Sequence, residues 1–190
     1  TSTPSVVFEW HSIENGDESL PYAQKSKSLY ARSKALAEKT ILEQTDLKTC
    51  ALRPHLIYGP NDPNFVPRIL EKGKEGKLIQ VGKGQNIVDI IDVEYAALAH
   101  RKAYEALKNA KSEAFFIAQA PVNLWEFINR LLATHGLGPV KKRIPFSLAY
   151  ALGFCCELFY AIKESFRDVF GPPGEPPITR FVALQMAKRH

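Results

Sequence analysis

Cysteine is scarce in this chain, with three residues, and two of them, Cys155 and Cys156, are adjacent. They cannot all pair, which excludes a disulfide framework and points to a reducing compartment. Methionine is scarcer still: Met186 is the only one, and the chain opens on Thr1, so the sequence reads as a piece of a longer protein. Uncharged stretches are short. The longest, residues 144–156, ends at Glu157 and falls below the ~18 residues a membrane span needs. Charge of one sign is not in large excess either, because 25 Lys+Arg against 20 Asp+Glu leave only +5. The longest basic run, Lys141-Lys142-Arg143, is solvated surface rather than a polybasic patch, and no nucleic-acid partner is expected. The five histidines have no spacing to cysteines or carboxylates that would make a metal site.

What is there is an ordinary globular mixture, 45% hydrophobic over 190 residues, enough for one domain with a real core. Ser5-Val6-Val7-Phe8 reads as the end of a β-strand. Residues 28–43 have helix-favouring density, with Leu29, Leu36 and Ile41/Leu42 on one side. Strands are expected at 49–52, 78–81, 86–91 and 114–117, with helices at 65–72 and 93–107. Asn123 followed by Glu126 is a helix start in which the amide caps and the glutamate reaches back. Strands and helices alternate, the pattern of an α/β fold with a parallel sheet. Gly171 to Pro177 reads as a linker or stiff loop. Residues 146–162 form an apolar helix on which Tyr150, Glu157 and Glu164, seven apart, make one polar stripe. A buried helix, or one lining a pocket for an apolar ligand, is the first reading; a helix on a membrane surface is the second.

The segment Tyr30-Ala31-Arg32-Ser33-Lys34 carries the chemistry. Four-residue spacing on a helix puts phenol and ammonium on one face, a turn apart. A cation about 4 Å from a phenol, at an effective dielectric near 20, is worth about 4 kcal/mol. That is enough to turn a weak base into a proton carrier for an alcohol or ketone near neutrality. With seven tyrosines the spacing arises by chance about once, and it recurs at Tyr104/Lys108, where Tyr104 reads as packing on an apolar face. Context separates the two. A hydroxyl source, Thr1-Ser2-Thr3, lies upstream of Tyr30, and a strand running into Arg53-Pro54-His55-Leu56-Ile57-Tyr58-Gly59-Pro60 lies downstream.

Together these segments, with Ala35 to Lys39, the stretch from Val81-Gly82 through Asp92-Val93, Ala99-His100 and Pro177 to Phe181, resemble extended short-chain dehydrogenases/reductases. Within them the resemblance is to the 3β-hydroxysteroid dehydrogenase and sterol-4-carboxylate dehydrogenase branch, with its bacterial relatives that reduce 2-alkyl-3-oxoalkanoates. It implies the C-terminal part of a Rossmann-type doubly wound parallel sheet plus a mostly helical substrate-binding subdomain. Residues 1–62 would be the catalytic half of the Rossmann domain, and residues 63–190 the substrate-binding part with interleaved sheet elements. The resemblance further implies NAD or NADP as cofactor. Tyr30 would be the acid/base, Lys34 its electrostatic partner on the nicotinamide ribose, and Thr3 the holder of the substrate oxygen with Ser2 beside it. The backbone at Pro54, His55, Leu56 and Ile57 would lie along the carboxamide. The substrate would be an apolar small molecule, a sterol or long-chain β-keto acid, in a cytoplasmic protein, with a membrane-surface contact and a homodimer as further partners.

The glycine-rich dinucleotide fingerprint of that superfamily is absent, since Gly73/Gly76 and Gly82/Gly84 do not complete its spacing. The chain is therefore expected to hold half a cofactor site and to be inactive alone. Two alternatives stand beside this reading. One is a nucleotide-sugar epimerase or dehydratase of the same superfamily, weakened because Pro54-His55-Leu56 lacks the asparagine usual after that strand. The other is a non-catalytic interaction or membrane-surface module. Among single residues, Asp92 reads as a helix N-cap rather than half of a carboxylate pair with Asp89, and Cys50 as core. Arg53 reads as a buried strand-end ion pair or a substrate contact, and His55 as structural or facing the nicotinamide.

Overall fold

The computed structural model describes residues 1–24, 26, 28–107, 112–166 and 176–189. These described residues hold six α-helices and eight strands in α/β alternation, divided into two compact units. One unit comprises residues 1–71 and 87–122, the other residues 72–86 and 123–189.

In the first unit, β1 (Cys50–Pro54) runs parallel to β6 (Glu113–Ile117), with Arg53 opposite Phe116 and Pro54 opposite Ile117. A second parallel pair joins β2 (Leu56–Tyr58) to β5 (Ile90–Asp92), in which Tyr58 faces Asp92. Parallel pairing requires crossover connections, and helix α3 (Val93–Ala106), which leads from β5 to β6, packs on β1, β2 and β5. Asp92 caps α3, its carboxylate accepting from the Glu94 backbone N–H at 2.8 Å, as the sequence suggested. Helix α2 (Phe65–Lys74) is opened by Asp62, whose carboxylate takes the N–H groups of Asn64, Phe65 and Val66. Burial would raise that carboxyl, but the three backbone donors outweigh it and hold it below the ordinary value.

Two expectations fail in this unit, the strand at residues 5–8 and the packing of Tyr104. No strand forms at residues 5–8. Pro4–Val6 is a 3-10 turn capped by Thr3, because Pro4 has no N–H to give a ladder and the Thr3 hydroxyl takes the Ser5 N–H instead. The apolar residues there are nonetheless core, since Val6 and Phe8 are fully buried. Helix α1 (Leu29–Leu42), capped by Ser28, turns its leucines outward: Leu29 and Leu36 are exposed and its buried residues are Ala31 and Glu38. Tyr104 is likewise exposed rather than packed, and Lys108 lies outside the described residues, as does most of Gly171 to Pro177.

In the second unit, β3 (Ile79–Val81) pairs in parallel with β8 (Lys142–Ile144), so the basic run is in part a strand with exposed side chains. The short strand β4 (Ile87–Val88) belongs to the first unit and precedes β5, and β7 (Val122–Asn123), where the chain passes into the second unit, precedes α4. Helix α4 (Leu124–Thr134) starts where the sequence placed it, with the Asn123 side chain accepting from Trp125 and Glu126 N–H, and buries Leu124, Trp125, Ile128 and Leu132. Trp125 Nε1 donates to the Met186 carbonyl on α6 (Arg180–Ala187).

Helix α5 (Phe146–Ser165) packs against α6. Gly153 is the close approach, because a Cβ there would lie 2.7 Å from the Thr179 carbonyl carbon and the Arg180 nitrogen. Glu157, one turn on, accepts from the Arg180 backbone N–H and Nε, both at 2.7 Å. Tyr150 and Glu157 of the polar stripe thus lie on the packed side of the helix, while Glu164 is exposed. The other side corrects the expectation of a buried helix: only 11% of the apolar stretch is buried, and Leu148, Leu152, Leu158, Phe159 and Ile162 are exposed. By length and composition this helix could also cross a membrane.

Candidate functional site

Helix α1 carries Tyr30 in its first turn and Lys34 in its second, on one face. Tyr30 is 53% exposed, so its phenol is not packed into the interior. Lys34 is half-buried, and its Nζ donates to the Thr1 carbonyl at 3.1 Å. The ammonium is thereby drawn to the segment that carries Thr3. Thr1 also binds His100 on α3, its hydroxyl 2.6 Å from Nε2, while Nδ1 lies 2.7 Å from the Ala96 carbonyl. A carbonyl only accepts, so in the neutral ring Nδ1 holds the proton and Nε2 accepts from Thr1.

The segment 1–3 is fixed to β1 by the Ser2 N–H, which donates to the Leu52 carbonyl at 2.6 Å. Ser2 and Thr3 are both buried. The Thr3 hydroxyl accepts from Ser5 N–H and donates to Ser5 Oγ, each at 3.3 Å, so it serves the 3-10 turn; no hydrogen bond joins it to Tyr30 among the described residues. Pro54 and His55 leave the carboxyl end of β1, beside the end of the parallel strand β6. Pro54 is buried, His55 and Leu56 are half-buried, and Ile57 is exposed. Ligands of open parallel sheets bind outside the carboxyl ends of the strands, which is where this turn lies. The structure therefore brings Lys34 to the hydroxyl-bearing segment and sets that segment on the strand leading to Pro54–Ile57.

Sequence reasoning placed Arg53 in a buried ion pair but missed its partners, Glu38 and Tyr22. Glu38, a turn beyond Lys34, pairs with Arg53 of β1 and accepts from the Tyr22 hydroxyl at 2.8 Å. Burial would push its carboxyl up, but hydrogen bonds from Arg53 and Tyr22 and the Arg53 charge outweigh that and hold it low. Burial together with the Glu38 carboxylate raises the Tyr22 phenol. The buried ion pair foreseen for Arg53 is thus present. The available signal for its partner was a glutamate continuing the Tyr30–Lys34 spacing by one more turn. Asp89 is half-buried, and burial raises its carboxyl.

Comparison with known proteins adds the following. The model of the 3-beta hydroxysteroid dehydrogenase/isomerase family matches residues 1–148. A 2-alkyl-3-oxoalkanoate reductase of Shewanella oneidensis is 42% identical over 204 residues, covering 100% of this chain and 51% of the relative. The mouse (Mus musculus) sterol-4-alpha-carboxylate 3-dehydrogenase, decarboxylating, is 37% identical over 171 residues, 85% of this chain and 47% of the relative. The chain thus spans about half the length of the curated relatives it matches. Among solved structures, a UDP-glucuronic acid 4-epimerase from Bacillus cereus in complex with NAD has a TM-score of 0.61 at 22% identity, covering 76% of this chain and 48% of that one. At that identity the likeness is one of fold.

Proposed function

The chain belongs to the 3-beta hydroxysteroid dehydrogenase/isomerase family, and on that premise we propose that it is the catalytic and substrate-binding part of an NAD(P)-dependent oxidoreductase. The parent protein interconverts a secondary alcohol and a ketone on an apolar substrate, a 3β-hydroxysterol or a long-chain β-keto acid. The observation that carries this reading is the Tyr30/Lys34 face of α1, with an exposed phenol and an ammonium drawn onto the Thr1 carbonyl.

Tyr30 gives or takes the proton at the substrate oxygen, and Lys34 favours its phenolate by charge. Thr3, tied into the turn by Ser5, orients the segment against which the substrate carbonyl rests. The residues present fit the nicotinamide half of the cofactor: a strand-end turn at Pro54–Ile57, an exposed Ile57, and a lysine with further donors beyond its bond to Thr1. When bound, the nicotinamide supplies or accepts the hydride equivalent. The part that cradles the adenosine and pyrophosphate is assigned to the rest of the parent protein, since the chain carries no glycine fingerprint.

The epimerase reading keeps the same fold but has nothing on these residues to favour it. The outward apolar face of α5 fits a membrane surface as the place where an apolar substrate is met, with the helix lying on the surface beside α6. Tyr30→Phe in the full-length protein is expected to lower turnover by ~10²-fold or more on a panel of 3β-hydroxysterols, 2-alkyl-3-oxo acids and nucleotide sugars. Unchanged turnover would remove Tyr30 from the chemistry, and turnover of the nucleotide sugars alone would replace the substrate class.

A further inference from the structure

Residues 30, 34 and 38 follow one another at four-residue spacing, so Glu38 lies on the face of α1 that carries Tyr30 and Lys34. Its side chain is fully shielded from solvent, and that of Arg53 is 3% exposed. Arg53 Nε donates to the two carboxylate oxygens at 3.1 and 3.2 Å, and Nη2 donates to Oε1 at 2.5 Å. The Tyr22 hydroxyl supplies another bond to the same oxygen. The Arg53 guanidinium is sandwiched by rings, 5.7 Å from the centroid of Tyr22 and 5.0 Å from that of Phe116. One carboxylate therefore ties α1 to β1, through Phe116 to the neighbouring strand β6, and to the segment before the helix. Arg53 directly precedes Pro54, and Ser2 beside the cluster directly precedes Thr3.

A buried ion pair is a poor device for stability, because desolvation offsets most of its attraction and an apolar pair of similar volume does as well or better. What it provides is direction. The surrounding face of α1 offers little else to fix the helix, since Leu29, Leu36 and Ile41 are exposed and Ala31 is the only other buried residue. At the ~6 Å radius of a helix with its side chains, a 10° roll about the axis moves a side-chain atom by ~1 Å. A misplacement of that size can cost ~10²-fold in rate.

We propose that Glu38 and Arg53 are a positioning pair that sets the roll of α1 and so aims Tyr30 and Lys34 at the turn following β1. The inference rests on the acid/base assignment of Tyr30 made above. Both side chains are shielded from solvent, so the prediction concerns placement rather than chemistry.

The test uses the full-length protein carrying Glu38→Met with Arg53→Met, and separately Tyr22→Phe, with Tyr30→Phe as the control for the assignment itself. A 2-alkyl-3-oxo acid with NADPH and a 3β-hydroxysterol with NAD are the probes. The double variant is expected to melt at or above the wild-type temperature while kcat falls ~10²-fold and the substrate KM stays within ~3-fold. Tyr22→Phe, which removes one bond to the carboxylate, is expected to lower kcat several-fold with the same split. A crystal structure of the double variant gives a readout independent of turnover, with α1 rolled by ~10° or more. Wild-type kcat in the double variant, or α1 superposing on its original position, overturns the proposal. If the double variant does not fold, wild-type kcat in Tyr22→Phe overturns it. Turnover unaffected by Tyr30→Phe instead sinks the assignment on which the pair depends.

Discussion

The outward face of α5 permits a worked estimate of membrane affinity. Leu148, Leu152, Leu158, Phe159, Ile162 and Phe166 are each about half exposed, from 45% at Leu152 to 62% at Phe159. Fully burying such a side chain is worth about 1.5–3 kcal/mol, so finishing the burial of each adds about 1 kcal/mol, and the set about 6 kcal/mol before orientation is lost. Cations stand at the start of this helix. Lys141, Lys142 and Arg143 precede it, and the Lys188 ammonium lies 5.4 Å from the Phe146 ring centroid. Near an anionic leaflet each adds about 1 kcal/mol. Leu152→Asp with Phe159→Asp removes about 2 kcal/mol of apolar transfer and adds two charges that resist entering the acyl boundary. Binding to vesicles should then fall by at least ~10²-fold. Co-sedimentation of the full-length protein with phosphatidylserine-containing and with purely zwitterionic vesicles measures this. Neutralising Lys141, Lys142 and Arg143 should weaken binding to the first kind only. Wild-type protein that sediments with neither, or aspartate variants that sediment as well as wild type, would refute the reasoning.

The remaining predictions concern stability. The Glu38 carboxyl is held below its unfolded value, so its contribution is complete above the unfolded carboxylate range near ~4.3 and is lost as pH falls through the lower folded value. Urea melts between pH 6 and pH 3 should show a steeper acid loss in wild type than in the variant with methionine at both 38 and 53, and equal slopes would count against it. Gly153→Ala brings a methyl against the Thr179–Arg180 backbone, which cannot withdraw as a side-chain tip could. It should cost about 1–3 kcal/mol by denaturant titration, with the loss seen in amide exchange of α5 and α6, and a neutral effect would show that the close approach is not obligatory.

What could be read from the residues was mostly local. Asp92 and Asn123 announce their helices because a capping side chain and its backbone targets lie within three residues of each other. The Tyr30–Lys34 face was equally plain, since helical spacing alone aligns it. The turn at Pro4–Val6 was mistaken for a strand because its apolar residues are core in either conformation, and Pro4 with Thr3 decided the backbone. The direction in which α1 faces was not legible: the sequence grouped its leucines on one side without saying which way it points, while the charged residue that is buried is a glutamate whose partners sit 15 and 16 positions away in sequence. On α5 the heptad spacing of Tyr150 and Glu157 correctly marked one side. Composition could not say that this polar side faces protein and the apolar side faces out.

The facing of both helices has the same physical cause. In each unit a carboxylate–guanidinium pair joins helices or strands distant in sequence: Glu38 with Arg53 in one, Glu157 with Arg180 in the other. Hydrophobic burial is non-directional, so an apolar helix can lower its free energy by rolling in several ways. A bidentate ionic contact admits few geometries and penalises the others by stranding a charge away from water. Without the contact of Glu157 with the start of α6, nothing specific would prevent α5 from turning Phe159 and Ile162 inward. With it, inward rotation would strand both Glu157 and the Arg180 backbone N–H that it satisfies. The apolar face is therefore held outward by a polar contact, just as the proton-carrying face of α1 is aimed by one, and both contacts are placed where a purely apolar core would have left the roll of the helix open.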